Sequence, residues 1–118
     1  MASMGQFRVT ARLTGPTGRS EEAEFLVDTG SMLLGLPRAL ADRLELMPQL
    51  NRRVMLAGGV MTRLPVADVR LTLGDESVTT PCYIVPEGTP LLGAVALECL
   101  FLAVDPVGQR LVPIEGIL

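Results

Sequence analysis

Histidine is absent from this chain, and that absence excludes Ser-His and Cys-His nucleophilic catalysis and most catalytic zinc sites. Any acid/base chemistry must come from carboxylates. Lysine is absent too: all ten basic residues are arginines, spread from Arg8 to Arg110 with only Arg52 and Arg53 adjacent, against 13 acids for a formal net charge of −3. No phosphate-binding stripe results, so nucleic acid is not an expected partner. Aromatic residues make up only 3% of the chain, which argues against base-stacking platforms. The core is left to Leu, Val, Ile and Ala, with six Met as adaptable filler. Cys82 and Cys99 are too few for a disulfide framework, show no metal-ligand spacing and read as small buried or half-buried thiols. Long apolar runs are also missing. The longest, Leu91 to Val104, contains Glu98 and falls short of the roughly 20 residues a membrane span needs. Met1 to Arg8 has no apolar stretch after a basic start, so no signal peptide is expected. These readings predict a cytoplasmic protein with no membrane partner.

What is present suits one small domain over residues 1–118, with 48% hydrophobic residues to build its core. Gln6 to Thr14 alternates, with Phe7, Val9, Ala11 and Leu13 on one side, as a half-buried strand does. Gly15-Pro16-Thr17-Gly18 is turn chemistry, and the chain resumes from Glu21 towards Phe25-Leu26-Val27, which predicts a hairpin. That second strand runs straight into Asp28-Thr29-Gly30-Ser31. A carboxylate at the end of a buried strand costs several kcal/mol unless something solvates or pairs it, so Asp28 is the candidate for a functional acid.

Beyond it, Pro37 to Leu44 predicts a short helix with Pro at its first position and Pro48 as its stop. Asn51 to Ala57 and Val60 to Leu64 flank Gly58-Gly59, a pair able to take positive φ in a tight hairpin. Val66 to Leu73 and Ser77 to Val85 read as two more strands around Gly74-Asp75. Leu91-Leu92-Gly93 reads as a short apolar strand and Ala94 to Leu102 as a buried helix. A last hairpin joins Ala103 to Asp105 with Arg110 to Pro113, Asp105 being a turn residue. The succession of strand, turn and short helix at Phe25 to Leu44 returns, without the acid, at Leu91 to Leu102, a weak repeat of organisation. Arg52-Arg53 reads as a solvated face.

Leu26-Val27-Asp28-Thr29-Gly30-Ser31, the Gly58-Gly59 hairpin and Leu91-Leu92-Gly93 followed by a helix together resemble the retropepsin-like aspartic proteases, most of all their small bacterial and archaeal members. The resemblance covers Phe7 to Pro113. It implies an all-β fold, a closed β barrel with one or two short helices, and a homodimer whose active site lies on the two-fold axis. A single Asp-Thr-Gly supplies one carboxylate, whereas hydrolysis by water needs a base and an acid; two carboxyls held together share a proton. Asp28 of each subunit would therefore meet across the axis and titrate as a pair. Thr29 would brace the partner's loop and Gly30 would admit the substrate backbone. The hydroxyl of Ser31 is expected to donate to the Asp28 carboxylate and so to favour an acidic working range.

The resemblance further implies a flap at Ala57, Gly58, Gly59 and Val60, and a groove walled by Met32, Leu34, Leu92 and Gly93. Met32 to Leu36 and Ile84 to Leu92 fall along that groove. It implies a peptide or protein substrate and no metal or organic cofactor. The chain departs from the retroviral pattern at Met32, Leu33 and Ala94, where an acid and an arginine would otherwise pair; both are missing together, so no lone buried charge remains. That departure keeps open a second reading, a dimerisation or peptide-binding module of the same fold with weak or no turnover. A glycosidase built on two carboxylates of one chain finds no second acid in a comparable loop.

Overall fold

The computed structural model describes residues 6–118; the reading of Met1 to Arg8 as lacking a leader falls mostly outside them. Among the described residues, nine strands and two short helices follow in the order β1 (Arg8–Thr14), β2 (Ser20–Val27), β3 (Leu34–Pro37), α1 (Arg38–Arg43), β4 (Leu50–Met55), β5 (Met61–Leu73), β6 (Glu76–Val85), β7 (Leu91–Leu92), α2 (Ala94–Cys99), β8 (Leu102–Asp105) and β9 (Arg110–Pro113). The fold is mostly β. β1 and β2 form the expected hairpin, Arg8 opposite Leu26 and Thr14 opposite Ser20. Pairing then passes from β2 to β7, β3, β6 and β5, and β5 returns to β1 at residues 70–72, so the ladders run round a ring of six strands with β4 outside it. Sheets with paired edges leave few open backbone groups to recruit other chains.

Alternation decides which side chains the ring encloses. Phe25, Leu13, Leu34, Leu36, Leu44, Leu71, Leu92 and Val27 are all essentially inaccessible, and Ala67, Val69, Ile84, Ala96 and Leu97 complete the same cluster. Fully burying a Leu or Phe side chain contributes about 1.5 to 3 kcal/mol, so this cluster is the main support of the loops at its rim.

Three local expectations are corrected. Val60 to Leu64 and Val66 to Leu73 are one strand, β5, not two. Pro65 is tolerated within it because the ladder changes partner there: Pro65 opposes Asn51 of β4, and pairing with β6 begins only at Val66. Pro37 is the residue before α1 rather than its first residue, and the helix ends well short of Pro48. Its stop is Glu45 in the left-handed region (φ 56°), whose N–H bonds to Asp42 O while that of Leu46 bonds to Ala41 O. That is a Schellman ending without glycine. The second helix is likewise shorter than Ala94 to Leu102, closing at Leu100 with Phe101 at φ 56°, so that Leu102 begins β8. Among the described residues no helix is long and apolar enough to cross a membrane.

Candidate active site

β2 delivers Asp28 to the rim of the core. Val27 is buried and donates its N–H to Phe7 O at 2.8 Å, while Leu26 N–H reaches Pro90 O and Asp28 N–H reaches Leu92 O at 3.0 Å. β2 and β7 are parallel neighbours, Leu26 beside Leu91 and Val27 beside Leu92. The two apolar segments singled out in the sequence thus lie side by side, and the backbone of the second fixes the acid of the first.

The loop that follows turns at once. Ser31 N–H bonds to Asp28 O at 3.1 Å and Gly30 N–H donates to Asp28 Oδ1 at 3.0 Å. Asp28 is half-buried; Thr29 and Gly30 are exposed. A β-carbon on Gly30 would stand 3.1 Å from Asp28 Oδ1, so glycine keeps that carboxylate face open. The other carboxylate oxygen, Oδ2, takes no hydrogen bond from the described residues.

α2 then clamps the loop. Its N-terminus has no side-chain cap, and the first N–H groups of a helix need acceptors from elsewhere. Ala94 N–H takes Ser31 O and Val95 N–H takes Met32 O, both at 2.9 Å. Gly93 makes this approach possible: a β-carbon there would fall 2.3 Å from Leu33 O and 2.6 Å from Ser31 O. The sequence reading placed Gly93 in the groove wall and missed this spacer role; its signal was the glycine directly before an uncapped helix.

Other sequence-predicted residues fall differently. Ser31 Oγ donates to Leu33 O at 2.8 Å, so the hydroxyl is committed to its own loop and the expected bond to the Asp28 carboxylate is not made. Leu34 and Leu92, expected on the groove wall, are wholly buried and support the site from beneath, as do Leu36 and Ile84. Met32, by contrast, is 65% exposed beside Asp28. Leu33 and Ala94 are half-buried, and no charge is stranded among them. Cys82 is buried as expected, and burial pushes its thiol up to about 12. Cys99 is exposed.

Ala57, Gly58, Gly59 and Val60 form the exposed tip of the β4–β5 hairpin. Leu56 N–H bonds to Val60 O and Gly59 N–H to Leu56 O, with Gly58 at φ 89° and Gly59 at φ 85°. These conformations suit glycine. The tip's backbone bonds stay within its own hairpin, and its apolar flanks Met55, Leu56, Val60 and Met61 are all exposed. A hollow lined by Thr17 to Glu21 and Arg43 lies elsewhere on the chain. It contains no residue of the Asp28 loop.

A model of the aspartyl protease family matches residues 9–96, from β1 through the first turn of α2. The chain belongs to the aspartyl protease family. The matched stretch takes in the Asp28 loop, the β4–β5 hairpin and Gly93, the features already joined by geometry. No curated protein gave a match. Among solved structures, the chain resembles EIAV protease in complex with an inhibitor, at a TM-score of 0.65 and 16% identity, over 80% of this chain and 88% of that one. It also resembles the retropepsin-like aspartic protease of Rickettsia conorii, with TM-score 0.57 and 18% identity over 85% of this chain and 75% of that one. The Simian Foamy Virus (mac) protease is similar at 0.58 and 15%, over 80% and 94% respectively. At these identities the likeness establishes the fold, which is retropepsin-like.

Proposed function

We propose that this aspartyl protease, a single domain over residues 1–118, is an endopeptidase active as a homodimer, its two Asp28 carboxyls meeting on the two-fold axis. The observation that carries this reading is the state of Asp28: half-buried at the end of a core strand, steadied through Oδ1 by Gly30 N–H, with Oδ2 free of hydrogen bonds from the described residues. A carboxylate kept in such a place without a cation partner is costly, and a second copy of itself sharing one proton relieves that cost. Thr29, exposed on the single chain, would brace the partner's loop.

The chemistry follows from the pair. The ionised carboxyl takes a proton from a water lying between the two, and the water oxygen bonds to the carbonyl carbon of the scissile amide. The protonated carboxyl gives its proton to the carbonyl oxygen. In the second half the protonated carboxyl gives its proton to the amide nitrogen, a hydroxyl of the tetrahedral intermediate gives its proton to the other carboxylate as the carbon–nitrogen bond breaks, and one shared proton remains on the pair. The hairpin tip at Ala57 to Val60 would close over the peptide as a flap and exclude water, its paired glycines giving the needed freedom. Exposed Met32 would line the groove.

The second reading, a peptide-binding or dimerisation module with weak turnover, draws on Met32, Leu33 and Ala94, which offer no charged pair for the substrate backbone. One experiment separates the two. The purified protein and its Asp28→Asn variant are incubated with a diverse peptide mixture from acidic to neutral pH and the products identified by mass spectrometry. Cleavage by the unaltered protein alone is the expected result; equal cleavage by both, or by neither, overturns the endopeptidase reading.

A further inference from the structure

The arginines of this chain are not distributed evenly with respect to acids. Arg8, Arg12, Arg19, Arg43 and Arg110 each pair with a Glu or Asp within 3.3 Å. Arg52, Arg53 and Arg63 are exposed and have no acidic partner among the described residues. All three sit on the β4–β5 hairpin, and residues 46–67 contain no acid at all, the nearest being Glu45 and Asp68. Arg38 on α1 and Arg70, in the part of β5 that pairs with β6, also lack an acidic partner among the described residues, so a chain with a net charge of −3 gathers three of its five such arginines on one exposed arm, and the remainder is more acidic than that arm.

The register sharpens this. Arg53 lies directly opposite Arg63, and like charges facing each other across an antiparallel pair are destabilising. No carboxylate relieves them. Between that pair and the tip, Met55 opposes Met61 on the same face, both exposed. Arg52 lies on the other face, opposite buried Leu64 and alongside Val54 and buried Val66, where the hairpin leans on the body of the chain. β4 is also the outermost strand of its sheet, so Arg52 stands at an open rim. A hairpin tip made for closure alone does not need three uncompensated cations at its stem.

We propose that Arg52, Arg53 and Arg63 make this hairpin a selector for peptides that carry acidic residues next to the apolar segment at the cleaved bond. The inference rests on the endopeptidase reading and names its substrate class. Arg52, on the face turned to the body, meets an acidic side chain of the bound strand directly. Arg53 and Arg63 add a positive field that attracts acidic peptides and repels basic ones, while Met32, exposed beside Asp28, accommodates apolar side chains without demanding one shape.

The test uses two fluorescein-labelled peptides with the same Leu- and Met-rich centre, one flanked by Glu and the other by Gln. Cleavage of both by the unaltered protein is followed in direct competition, and binding of both to Asp28→Asn is followed by fluorescence anisotropy, at low and high salt. The Glu peptide is expected to be favoured about tenfold at low salt and much less at high salt, where screening shortens the reach of the charges. In the triple variant Arg52→Gln, Arg53→Gln, Arg63→Gln the ratio falls to near one. A ratio near one in the unaltered protein, or a preference that survives in the triple variant, overturns the proposal. So does an arginine effect seen only on dimer affinity or only on binding to phosphatidylserine vesicles. If neither peptide is cut yet the Glu peptide binds in an arginine-dependent way, the endopeptidase reading fails and the selector stands. If both are cut equally, the reverse holds.

Discussion

Gly93 lies with its α-carbon so close to the Leu33 carbonyl that a β-carbon would fall 2.3 Å from that oxygen. Neither group is a flexible side-chain end: both are backbone, directly beside β7 and β3 and the α2 clamp. Gly93→Ala is therefore expected to destabilise the fold by roughly 3 kcal/mol or more, at the upper end of overpacking costs. Thermal unfolding checks the size. Hydrogen exchange at Ala94 and Val95, whose N–H groups hold Ser31 O and Met32 O, should show that the clamp on the Asp28 loop opens first.

Ser31→Ala removes the bond from Oγ to Leu33 O and leaves that carbonyl short of one donor. A stability loss of about 1 kcal/mol is expected. Because the hydroxyl does not reach Asp28, the acidic limb of a pH–rate profile should stay where it is. A limb that moves towards neutral pH in the variant would mean that the hydroxyl turns to the carboxylate when substrate binds.

Mixing experiments address the shared site. If each site needs Asp28 from both subunits, an equimolar, fully exchanged mixture of unaltered protein and Asp28→Asn should retain roughly one quarter of the activity of the same total amount of unaltered protein, since only like pairs of unaltered subunits work. Retention of one half would show that each subunit acts alone.

The two thiols should behave oppositely. Cys99 is exposed and Cys82 is buried with its thiol pushed up to about 12, chiefly by burial. Maleimide at neutral pH is expected to label Cys99 alone in the native protein and both in denaturant, read by mass spectrometry. The unfolded thiol ionises near 9, so between about 9 and 12 the folded state holds the proton more tightly than the unfolded one. Stability is unaffected by this group below 9 and falls as pH rises through that window. Cys82→Ala should lose that part of the alkaline decline.

The sequence by itself determined much of the framework. Alternation in residues 6–14 and 66–73 placed strands, Gly58-Gly59 placed a hairpin tip, and the order of Asp28-Thr29-Gly30 and Leu91-Leu92-Gly93 marked the aspartyl protease pattern. These features are local: a period of two, a positive φ and a turn each follow from residues close in the chain. Tertiary structure alone decided the rest. It set Val27 beside Leu92, joined the segments on either side of Pro65 into one strand, β5, and ended α1 at Glu45 instead of Pro48. It also turned the Ser31 hydroxyl to Leu33 and faced Arg53 with Arg63. Each of these depends on which segments become neighbours, and so on burial and backbone hydrogen bonds that no window of sequence contains. Asp28 was legible as an acid needing a purpose. The clamp that holds it, and the cationic arm unpaired among the described residues, became visible only once strands far apart in sequence lay side by side.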